Sequence, residues 1–127
     1  MKEDDGIWRE IEIQGSQSLS ELSSAILKSF NFDDDHLHAF FMTGEPWDTS
    51  DAYWDPNTES DYPESRKTDR IKICNLDLSV SRRLLYLFDF GDEWFFEIQY
   101  LERRKSDEAA DYPRTTGAQG EAPPQYG

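Results

Sequence analysis

The sequence predicts a single α+β domain, on three observations. Residues 84–100, LLYLFDFGDEWFFEIQY, form a strongly apolar passage divided near its middle by Gly91-Asp92, the pattern of a β-hairpin. Residues 19–30 repeat apolar side chains at helical spacing behind a capping signal. The apparent order of elements is strand, helix, strand, long loop, strand, hairpin, with no repeats and no βαβα alternation. That order favours a mixed or antiparallel sheet with a helix on one face over a doubly wound nucleotide fold. A chain of 127 residues suffices for one core. Only 36% of residues are hydrophobic but 14% are aromatic, so a few large rings must supply much of that core.

In order along the chain, residues 7–13 alternate well enough for a strand, with Ile11 and Ile13 inward and Glu10 and Glu12 outward. Ser18-Leu19-Ser20-Glu21 has the form of a capping box, in which serine hydroxyl and glutamate satisfy each other's orphan amides. Leu19, Leu22, Ile26 and Phe30 then mark one stripe of an amphipathic helix, Asn31 suits its C-terminal cap, and Phe32 is expected to fold back onto it. Residues 36–42 read as a strand with Leu37, Ala39 and Phe41 on one face and His36, His38, Phe40 and Met42 on the other. From Glu45 to Glu64 there are seven acidic residues, three prolines and four large aromatics (Trp47, Tyr53, Trp54, Tyr62), without lysine, arginine or periodicity. A long acidic loop over 45–69 is the expectation. Residues 70–78 resume alternation through Ile71, Ile73, Leu76 and Leu78, a short strand or helical turn.

The hairpin is assigned to 84–101. A two-residue II′ turn at Gly91-Asp92 would set Phe90 opposite Glu93, Asp89 opposite Trp94, Leu87 opposite Phe96 and Leu85 opposite Ile98. The core face would then be Leu85, Leu87, Trp94, Phe96 and Ile98. The domain body spans 6–104, and 105–127 reads as an irregular tail, able to dock, because it mixes Asp, Glu, Gly and Pro and loses apolar content.

A formal charge of −14, from 27 acidic against 13 basic residues, argues against nucleic acid or an anionic membrane as the main partner. The basic pairs and triplets at Arg82-Arg83 and Arg103-Arg104-Lys105 read as a solvated strand edge. One cysteine, Cys74, excludes an internal disulfide and a cysteine-based zinc site, and its apolar-alternating surroundings suggest a buried, inert thiol. No secretory leader pattern and no long apolar run is evident, so a cytoplasmic location is the expectation.

Few residues suggest chemistry. Asp89-Phe90-Gly91 looks like a kinase motif, but the chain has no glycine-rich phosphate loop and no HRD-type loop; the glycine reads as a turn residue and Asp89 as a local acceptor. His36-x-His38 is the spacing closest to a metal site, because residues two apart on a strand point the same way, and Asp35 could add a ligand. Histidines bonded to nearby carboxylates are the simpler reading. The region of Asp48, Ser50 and Asp51 lacks the glycine and glutamate of an EF-hand, and no G-x-S-x-G elbow occurs. No cofactor is indicated.

Together these residues resemble the Ri-plasmid open-reading-frame-three-like family, the plasmid pRiA4b ORF-3-like and insertion-element passenger proteins. The resemblance rests on Ile7-Trp8-Arg9, the 19–30 helix, Asp35-His36-Leu37-His38-x-Phe40, the passage from Leu85 to Trp94 with its Tyr86-x-Phe88-Asp89-Phe90-Gly91-Asp92-x-Trp94 motif, Tyr112-Pro113, and Gly120-Glu121-Ala122-Pro123-Pro124-Gln125-Tyr126. It implies an α+β domain without an assigned activity; mobile-element names do not establish recombinase chemistry. Two departures stand out. Members often carry histidine where this chain has Phe96, and the family pattern usually starts with a strand ahead of Ile7-Trp8-Arg9. Lacking that strand, the sheet would have an open edge, left bare or covered by another chain or by the tail, with homodimerisation one consequence.

The leading functional expectation is a noncatalytic interaction module of plasmid or mobile-element type, presenting the 45–64 loop and hairpin tip to a protein or peptide through Trp47, Tyr53, Trp54, Asp89, Asp92 and Trp94. The alternative is a metal-dependent hydrolase using His36, His38 and nearby carboxylates. A DNA-associated accessory role comes third, because the charge opposes it.

Overall fold

In the computed structural model, residues 6–58, 63–78 and 82–126 are described. They form β1 (Trp8–Glu12), α1 (Leu19–Ser29), β2 (His38–Phe41), β3 (Ala52–Trp54), β4 (Arg83–Phe88), β5 (Trp94–Gln99) and β6 (Arg114–Gln119). The α+β class is as the sequence predicts. Two antiparallel sheets are present, a four-stranded one in the order β3-β2-β4-β5 and a two-stranded ribbon of β1 with β6.

The helix starts and stops where its local chemistry says it should. Ser18 Oγ accepts from the Glu21 amide at 3.1 Å while Glu21 Oε1 accepts from the Ser18 amide at 3.1 Å, closing the capping box. At the other end Asn31 takes a left-handed φ of 60°, and the amides of Asn31 and Phe32 donate to the carbonyls of Lys28 and Leu27. This is a Schellman cap, and it returns Phe32 to the core. Leu19, Ile26 and Leu27 of α1 pack with Phe40, Met42, Leu84, Tyr86 and Phe88 on one face of the four-stranded sheet. Ala39, Phe41, Ala52, Trp54, Leu85 and Leu87 form a second cluster on the other face. As a result β4 is buried on both sides; β2 is shorter than the expected 36–42, with His36 in a bend ahead of it, while over 38–42 the alternation holds, with Ala39 and Phe41 opposite His38, Phe40 and Met42.

The hairpin register differs from the sequence expectation by one residue. Phe88 pairs with Trp94, Leu87 with Phe95, Tyr86 with Phe96 and Leu84 with Ile98. The turn is a five-residue loop rather than a two-residue one. Asp89 and Glu93 take positive φ values, 66° and 53°, whereas a II′ turn would require one at Gly91. Asp89 Oδ1 accepts from the amides of Gly91 and Asp92, so an aspartate side chain organises the bend in place of a glycine. One residue of slip exchanges faces. Trp94, Phe96 and Ile98 therefore join Tyr86 and Phe88 under the helix, while Leu85 and Leu87 turn to the far side.

Three other expectations are corrected. The tail over 105–127 is not irregular throughout, because β6 pairs with one edge of β1 in a two-stranded ribbon. The pair is held by a backbone ladder and polar cross-strand contacts, Arg114 with Glu12 at 2.8 Å and Thr116 with Glu10 at 2.9 Å, which leave no apolar alternation to read. The 45–69 passage contains β3 and two 3-10 turns, Thr49–Asp51 and Glu64–Arg66; its Tyr62 lies outside the described residues. Residues 70–78 hold a 3-10 turn, Ile73–Asn75, whose amides donate to the carbonyls of Gly15 and Gln17, and this leaves Cys74 exposed rather than buried.

Candidate functional site

The hairpin loop links two places where unusual side chains gather. The first is an aromatic tip on the sheet face away from α1. Trp47 is 41% exposed and has a left-handed φ of 60°, a conformation a bulky side chain rarely adopts and one that the surrounding packing must hold. Its ring lies 5.6 Å from Phe41 and 5.4 Å from Phe90, and its Nε1 donates to Glu93 Oε2 at 3.0 Å. Phe90 also meets Trp54 edge-on at 6.2 Å. Glu93, bonded to the Trp47 indole, is exposed, as are its sequence neighbour Asp92 and Glu45, two residues before Trp47.

The residues selected from the sequence as a binding surface divide between the two faces. Trp54 is buried in the cluster beneath Trp47. Tyr53 packs toward the helix side, with the Arg66 guanidinium 4.6 Å above its ring. Trp94 is half-buried and stacks edge-on with Phe32 at 4.9 Å. Asp89 is buried as the organiser of the loop, and Asp92 is exposed at its crest. Phe90 and Glu93, which complete the Trp47 tip, were not singled out, since their approach depends on the five-residue loop.

The second place is a polar cleft of about 420 Å³ between the start of α1 and the 34–38 and 55–57 segments. Ser20 and Ser24 line it from the helix, with Asp34, Asp35, His36, His38 and Asp55 opposite. The two histidines have separate roles. His38 is buried; its Nε2 lies 2.8 Å from Thr68 Oγ1, and its Nδ1 is 3.1 Å from Asp55 Oδ2 without hydrogen-bond alignment. Burial pushes the Asp55 carboxyl up, but the nearby His38 ring and hydrogen bonds from the His38 and Asn57 backbone amides outweigh this and hold it below the usual carboxylate value.

His36 is the more exposed of the two. Its Nδ1 is 2.7 Å from Asp35 Oδ1 and its Nε2 is 3.6 Å from Asp89 Oδ2, so the ring connects the cleft to the hairpin loop. The bond to Asp35, helped by the charge of Asp89, raises the His36 pKa above its ordinary 6.5. Asp35 also accepts from the Tyr126 hydroxyl, and this contact more than any other lowers its pKa. The same carboxylate pushes the Tyr126 phenol up to about 12. Asp35, His36 and His38, the metal candidates from the sequence, are thus each engaged with protein partners. Among the described residues no group of three or more His, Cys, Asp or Glu side chains is arranged to hold a metal ion.

Comparison with known proteins agrees with this architecture. A family profile described as plasmid pRiA4b ORF-3-like protein matches residues 1–126. A crystal structure of a protein of unknown function from Methanosarcina mazei Go1 is similar, with 26% identity and a TM-score of 0.74, over 94% of this chain and 65% of that one. This chain therefore spans somewhat less than two thirds of that relative's length. No curated protein matches. No helix among the described residues is long and apolar enough to cross a membrane.

Proposed function

The chain belongs to the plasmid pRiA4b ORF-3-like family, and on that premise we propose that it is a noncatalytic binding module whose Trp47 tip docks a protein or peptide partner. The observation that carries this reading is Trp47 itself. A large amphipathic ring, 41% exposed, sits in a left-handed backbone conformation, braced by Phe41 and Phe90 and tied through its indole to Glu93. Backbone strain of that kind costs roughly 1–3 kcal/mol and tends to occur where a side chain is held ready for use. Tryptophan is also among the residues that most often dominate binding energy at interfaces. The Glu93 carboxylate at the indole and a net charge of −14 favour a basic segment as the partner.

The test begins with partners captured on the immobilised domain and continues with the purified partner titrated against the wild type and Trp47→Ala. Binding should weaken about tenfold or more in the variant, equivalent to roughly 1.4 kcal/mol, and should weaken for the wild type as salt is raised. Equal affinities for the two proteins, with both folded, would overturn the reading.

A further inference from the structure

We propose that the 33–35 stretch is a docking site for a Gln-Tyr segment, filled by the chain's own Gln125 and Tyr126, and that this docking positions His36 at the mouth of the cleft. The contacts are paired and specific. Gln125 Oε1 accepts from the Asp33 amide at 2.7 Å while its Nε2 donates to the Asp33 carbonyl at 3.0 Å, so one side-chain amide satisfies both backbone groups of one residue. The same Nε2 lies 3.3 Å from Asp35 Oδ1, and the Tyr126 hydroxyl donates to Asp35 Oδ2. Both oxygens of Asp35 are therefore engaged from the 125–126 segment, and Oδ1 is shared with His36 Nδ1.

The route of the chain supports a segment that docks and releases as a unit. Gly120, at a φ of 81°, ends β6 in a conformation favouring glycine, and a Cβ there would lie 2.7 Å from the Gly6 carbonyl oxygen. The chain then leaves the ribbon without regular structure, and Pro123-Pro124 stiffens the last approach, so little chain entropy is lost on docking. Its anchoring contacts are polar and lie at the surface, with Tyr126 57% exposed. Segments held this way open at far lower free energy than the core. Undocking frees Asp35, and with it the partner that orients the His36 ring; Asp89, across from His36 Nε2, stays fixed by its own loop. The proposal does not depend on the Trp47 surface.

Three proteins test it: the full chain, Tyr126→Phe, and a chain shortened after Gly120, which keeps β6. Amide exchange across 33–36 should quicken several-fold in both altered proteins, with Phe40 and Leu87 in the sheet unchanged as the control for folding. The His36 ring signals in NMR should move in both, and adding the free peptide EAPPQYG to the shortened chain should return them to the full-chain positions. A peptide with the tyrosine replaced by phenylalanine and the glutamine by alanine should not do so. Unchanged exchange and unchanged His36 signals after shortening would overturn the proposal, as would equal restoration by the two peptides.

Discussion

The two faces of the four-stranded sheet are both apolar, yet they are closed in different ways. On one face α1 covers Phe40, Tyr86 and Phe88, and each is fully buried. A polar link crosses this layer, Ser23 Oγ to Tyr86 hydroxyl at 2.6 Å, and burial raises the Tyr86 pKa far above its usual value. On the other face no helix is present among the described residues. Phe41, Leu87 and Trp54 are covered by rings from loops, of which Trp47 is the exposed outer one. A helix supplies a continuous apolar stripe and fixes the fold, whereas a lid of loop rings leaves one ring facing solvent. That difference explains why the partner surface is assigned to the second face.

Substitutions should reproduce the contrast. Phe40→Ala removes a fully buried ring under the helix and is expected to cost about 3–5 kcal/mol, measured by denaturant unfolding. Tyr86→Phe leaves the Ser23 hydroxyl buried without its partner and should cost about 1–2 kcal/mol, much of it recovered on adding Ser23→Ala. Trp47→Ala, on the loop-covered face, should cost only about 1 kcal/mol of stability while carrying the binding loss described above. A larger stability loss for Trp47→Ala than for Phe40→Ala would reverse the assignment of the two faces.

The smallest expected effect is electrostatic. His36 has a raised pKa, so its contribution to stability is complete below about pH 6.5 and is lost as pH rises through the higher folded-state value. Asp35 and Asp55 have lowered pKa values, so their contributions are present at neutral pH and are lost as pH falls through their folded values. An NMR titration should place the His36 midpoint above 6.5, and Asp35→Asn should move it back down. A midpoint at or below 6.5 in the wild type would contradict the Asp35 and Asp89 contacts.

The sequence by itself determined what depends on neighbours a few residues away. The Ser18–Glu21 capping box, the 19–30 helix, the Asn31 cap with its returning Phe32, and the alternation of β2 follow from local spacing, because the interacting groups are separated by at most one helical turn or one pleat. The sequence placed both histidines on one strand, but only His38 lies on β2, and His36 sits in a bend ahead of it. Their separation into a buried His38 and an exposed His36 was not legible, because it depends on Asp55, Thr68, Asp89 and Tyr126, which arrive from four other parts of the chain.

Only the tertiary structure decided the hairpin register, the partner of β1 and the covering of the second face. With apolar residues at nearly every position, β4 could be read in either register. Its burial on both faces, with Asp89 organising a five-residue loop, selects the observed one. β6 carries no apolar alternation because its pairing with β1 uses backbone and polar groups, whose partners lie about a hundred residues away in the chain, beyond the reach of any local pattern.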